Sequence, residues 1–91
     1  MNLTSRGGQT GVAYAPDGTR FLNKRSGKIF THVVVTKHKN FKNYGWFKWC
    51  ESLEEAILCK EVDVWKSEAS WGFTDVAIVD CKMVHPWEIS D

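Results

Sequence analysis

The chain has 91 residues, 43% of them hydrophobic, and a formal net charge of +1. That length makes one domain with a modest core. Five Trp, five Phe and two Tyr, each able to bury about 150–250 Å², exclude a disordered tail and make metal or disulfide staples unnecessary. The charge is polarised: nine Lys or Arg and one acid from Met1 to Trp49 give +8, while three Lys and ten acids from Cys50 to Asp91 give −7.

Residues 1–11, with Gly7, Gly8 and Gly11, read as a flexible amino-terminal segment, and residues 12–91 as a single α+β domain. Residues 12–15 and 19–22 flank Pro16-Asp17-Gly18 as a hairpin, because Pro presets φ and Gly accepts a positive φ at the close. Residues 28–36 form a strand apolar on both faces (Ile29, Phe30, Val33, Val34, Val35), which belongs inside its sheet. Residues 37–43 are a basic loop carrying Phe41, and residues 45–51 a strand bearing Trp46, Phe47 and Trp49.

Ser52-Leu53-Glu54-Glu55 is a capping box that opens a helix to about Lys60. Leu53, Ala56, Ile57 and Val64 share its apolar face, and Cys59 points outward or along the helix. Residues 62–69 continue this helix or form a second short one, and Ser70-Trp71-Gly72 closes the region. The last strand spans residues 73–84, with Ala77, Val79, Cys81 and Met83 on one face and Val76 and Ile78 on the other; Pro86 ends its ladder. The fold class is therefore α+β: a small antiparallel sheet of four to five strands in ββ-ββ-α-β order, with one main helix packed on one face.

Catalytic signatures are missing from this pattern. Gly27-Lys28 lacks the Ser/Thr and the leading Gly of a phosphate loop, and the early glycines precede a strand instead of following one. His32, His38, His85 and the three Cys are not at zinc-site spacings. Cys50 is followed by acids, a poor setting for a thiolate. The sequence thus predicts no catalytic residue, no cofactor and no metal. No apolar run follows Met1 to serve as a signal peptide, and nothing reaches the ~20 apolar residues of a membrane span. Together with an odd Cys count, this predicts a cytoplasmic protein with no membrane partner.

The segment Lys42-Asn43-Tyr44-Gly45-Trp46-Phe47-Lys48-Trp49 resembles the RNP1 strand of the RNA-recognition motif, with Asn43 the departure from that pattern. The resemblance implies that Tyr44 and Trp46 stack on bases. Around them basic residues alternate with rings, a composition suited to single-stranded nucleic acid. In size, composition and ββαβ layout the chain also resembles small phage-encoded accessory proteins, including anti-CRISPR and other anti-defence inhibitors. That resemblance implies a non-catalytic binding protein that inhibits or modulates a host protein or nucleoprotein complex. On either reading the expected partner-binding residues are Lys37, Lys39, Phe41, Lys42, Tyr44, Trp46 and Lys48. An acidic surface from Glu51 to Glu68 is the other candidate.

Overall fold

The computed structural model describes residues 9–24 and 27–88. Five strands, β1 (Thr10–Tyr14), β2 (Arg20–Asn23), β3 (His32–His38), β4 (Gly45–Cys50) and β5 (Phe73–Val84), form one sheet in the order β2-β1-β5-β3-β4. Every pairing is antiparallel. The helix α1 (Leu53–Glu61) and two 3-10 turns, Asp63–Lys66 and Glu68–Gly72, join β4 to β5. The α+β class and the single main helix on one face are as the sequence pattern predicts. Among the described residues no helix is long and apolar enough to cross a membrane.

The last strand in sequence lies at the centre of the sheet. β5 pairs with β3 from Phe73 to Asp80 and with β1 from Cys81 to Val84, on opposite edges. Its twelve residues, at about 3.4 Å each, are long enough to serve both partners. Val33, Val34 and Val35 are each 0% exposed, as a strand with both faces covered requires. β3 nevertheless begins at His32, after Ile29 and Phe30, and runs on through Lys37 and His38. β1 begins at Thr10, inside the segment read as flexible; residues 1–8 of that segment lie outside the described residues.

The hairpin turn follows its sequence signature. Gly18 adopts φ +91° and its amide donates to the Ala15 carbonyl at 2.9 Å. Asp17 accepts from the Thr19 amide at 3.0 Å, which holds its carboxyl below the usual range. The other Asp17 oxygen accepts from the Tyr44 amide at 3.3 Å, tying this turn to the entrance of β4.

Two apolar clusters flank the sheet. One face gathers Ala13, Phe30, Val33, Val35, Tyr44 and Trp49, with Ala77, Val79, Cys81 and Met83 from β5 against them. A Cβ on Gly11 of β1 would lie 3.2 Å from the Trp49 ring of β4. Two strands lie between β1 and β4, so the sheet curls until its own side chains fill its concave face. The convex face holds the smaller cluster of Val34, Cys50, Ala56 and Cys59, joined by Phe47, Val76 and Ile78.

α1 starts where the sequence predicts. Ser52 Oγ accepts from the Glu55 amide at 3.1 Å. The Glu55 carboxylate reaches one residue further back than a standard capping box, accepting from the Glu51 amide at 2.8 Å. The buried face of the helix corrects the sequence reading. Ala56 and Cys59 are buried, whereas Leu53 and Ile57 are 48% and 40% exposed. Cys59, expected to point outward or along the helix, is fully buried. Small residues let the helix backbone approach the sheet closely and push the large ones outward. Val64 is buried too, but from the first 3-10 turn, because the chain leaves helical geometry at Val62.

Candidate interaction surface

Four aromatic side chains meet at the end of the sheet where β3 finishes and β5 begins. The His38 ring lies 5.6 Å from Phe41, 6.0 Å from Trp71 and 6.1 Å from Phe73, centroid to centroid. Phe73 continues inward to Phe47 at 6.4 Å, edge to face, a favoured arrangement for ring pairs. The outer rings stay in solvent: Phe41 is 67% and Trp71 72% exposed.

Hydrogen bonds fix this cluster from both sides. The Asn40 amide donates to His38 Nδ1 at 3.1 Å, which requires that nitrogen to be unprotonated. The Phe41 amide donates to the His38 carbonyl at 2.9 Å, and the Lys39 amide to the Gly72 carbonyl at 2.8 Å. Thr74 Oγ1 donates to the Lys37 carbonyl at 3.3 Å. The 39–43 loop and the second 3-10 turn are thereby clamped together through His38. Gly72 is packed so tightly on the imidazole that a Cβ there would lie 2.6 and 2.7 Å from its Cε1 and Cδ2. Lys39 Nζ sits 4.1 Å from the Trp71 ring centroid, within cation–π range.

The seven residues expected to bind a partner do not form one surface. Lys39, Phe41 and Lys42 gather at this aromatic end, whereas Lys37, paired in register with Asp75, continues the row of Val33 and Val35 on the other face of β3. Tyr44 is 9% exposed; its hydroxyl donates to the Asp75 carboxylate, which pushes its own ionisation up to about 12. It is a post that joins β4 to β5 and offers no free ring face. Trp46 is 56% exposed but lies elsewhere, beside Trp49 at 6.5 Å. With Leu22, Lys24 and Lys28 it lines a groove of about 530 Å³ between the two edge strands. Lys48 pairs with Glu55 at 3.3 Å, a hydrogen bond that raises the lysine pKa and contributes to lowering that of the glutamate.

Residues from the second half complete the aromatic end. Trp71, Gly72 and Phe73 arrive through the sheet topology, which no local pattern specifies. The available signal was a Trp in a short turn, Ser70-Trp71-Gly72, where a ring has few ways to be buried. Burial pushes the Cys50 thiol up to about 11 and also raises Cys59 and Cys81. Among the described residues no group of three or more His, Cys, Asp or Glu is placed to hold a metal ion. No protein-family model, curated protein or solved structure matches the chain.

Proposed function

We propose that the chain is a non-catalytic binding protein that covers part of a host protein or nucleoprotein complex and so inhibits or modulates it. The carrying observation is the aromatic end: Phe41 and Trp71 are exposed, and both rings lie against His38. Large rings with only two side-chain torsions lose little conformational freedom on docking, which suits them to be the anchors of an interface. Lys39 and Lys42 supply a positive rim that steers encounter with an acidic partner surface. This fits a phage-type accessory protein acting in the host cytoplasm.

A second reading, single-stranded nucleic acid, is favoured by one contact, the Lys39 ammonium over Trp71, since such pairs sit beside stacking platforms. Capture from a bacterial lysate, with and without nuclease, separates the two. A stoichiometric protein that survives nuclease and is lost with a Phe41→Ala/Trp71→Ala variant supports the first reading. Loss of all bound material with nuclease supports the second.

A further inference from the structure

Helix α1 is turned inside out for a surface helix. It rests on the sheet through Ala56 and Cys59, while Leu53, Ile57, Leu58 and Val62 are 48%, 40%, 56% and 38% exposed. At about 100° per residue, Glu54 and Glu61 align along the outermost line, opposite the buried pair. Ile57 and Leu58 flank that line on either side. The outward face is thus an acidic ridge between two apolar shoulders.

We propose that this face packs against a basic amphipathic helix of a partner protein. Charge selects the occupant. A second copy packed about a two-fold axis would set one Glu54–Glu61 ridge against another, and a nucleic-acid backbone would meet the same repulsion. A helix whose contact side carries lysines and leucines meets the ridge with opposite charge and lays its apolar groups on the shoulders. The inference rests on the reading that the chain acts by binding a protein, but it uses a different surface from Phe41 and Trp71.

The test is an NMR titration of the ¹⁵N-labelled chain with an amphipathic helical peptide of leucine and lysine, alongside its leucine–glutamate counterpart. Expected are amide shifts centred on α1 with the lysine peptide only. Affinity should fall about tenfold in Ile57→Ser/Leu58→Ser and also fall in Glu54→Gln/Glu61→Gln, circular dichroism reporting that both variants remain folded. The Phe41→Ala/Trp71→Ala variant should bind the peptide like the parent. Failure to bind, equal binding of the glutamate peptide, or shifts centred on Phe41 and Trp71 with α1 silent would overturn the proposal. Because Phe41→Ala/Trp71→Ala keeps α1 intact, loss of lysate capture in that variant with peptide binding retained leaves this proposal standing. Retained capture with no α1 shifts sinks it alone.

Discussion

Gly72→Ala probes how the aromatic end is built. Gly72 is not among the glycines with positive φ, so the backbone accepts alanine and the penalty arises only from the new Cβ. That atom would sit 2.6 Å from His38 Cε1, inside any real contact distance, so the imidazole must swing away. Forcing an extra methyl into a packed site costs about 1–3 kcal/mol. The displaced ring also gives up the Asn40 bond, worth about 0.5–1.5 kcal/mol, part of which is already inside the first figure. For a chain of this size each kcal/mol lowers Tm by about 4–8 °C, so a total near 2 kcal/mol predicts a fall of about 8–16 °C. The assay is a double-mutant cycle by thermal and urea unfolding. In a His38→Ala background the obstruction is gone, and Gly72→Ala should be close to neutral. Equal cost in both backgrounds, or no cost in the parent, would refute the packing argument.

Ser52→Ala should lower stability by about 0.5–2 kcal/mol by removing the acceptor of the Glu55 amide, read as a shift in urea midpoint. On the helix, Cys59→Leu should cost about 1–3 kcal/mol through overpacking, while Leu58→Ser should stay within about 0.5 kcal/mol as an exposed change; the reverse order would mean the helix is rotated from its described face. Stability should also fall in base. Burial holds Cys50 up to about 11 against an ordinary 9.0, and the bond to Asp75 holds Tyr44 up to about 12 against 10.0. Both pKa values are raised by folding, so their contribution is complete below about pH 9 and is lost as pH climbs from there through 11 to 12. Urea midpoints across that window should fall less steeply in Cys50→Ala, and an unchanged slope would contradict the assignment.

What was legible in the sequence was what local rules decide. The Pro16-Asp17-Gly18 turn, the Ser52 cap and β5 from Phe73 to Val84 follow from turn chemistry, capping and alternation over a few residues. The inner face of α1 did not, because hydrophobicity alone assigns Leu53 and Ile57 to the core. The actual choice depends on how closely the helix approaches Val34 and Cys50, and only Ala56 and Cys59 are small enough. The strand order was equally hidden, since nothing in β5 records that β1 and β3 pair on its two edges. For the surface, Lys39 and Phe41 were visible as a basic aromatic loop. Tyr44 looked like their neighbour in sequence, but its hydroxyl belongs to Asp75 on β5, and Trp71 reaches the loop from thirty residues away by that same topology.

The most direct test of the central claim is the affinity of the nuclease-resistant captured partner, once purified, for the parent chain and for Phe41→Ala/Trp71→Ala. Circular dichroism and thermal unfolding confirm that the variant keeps its fold. Two exposed anchors, each worth about 2 kcal/mol at an interface, predict a loss of affinity of several hundredfold or more, carried mainly by faster dissociation. An affinity within about threefold of the parent, in a folded variant, would contradict the claim that the aromatic end is where this protein binds.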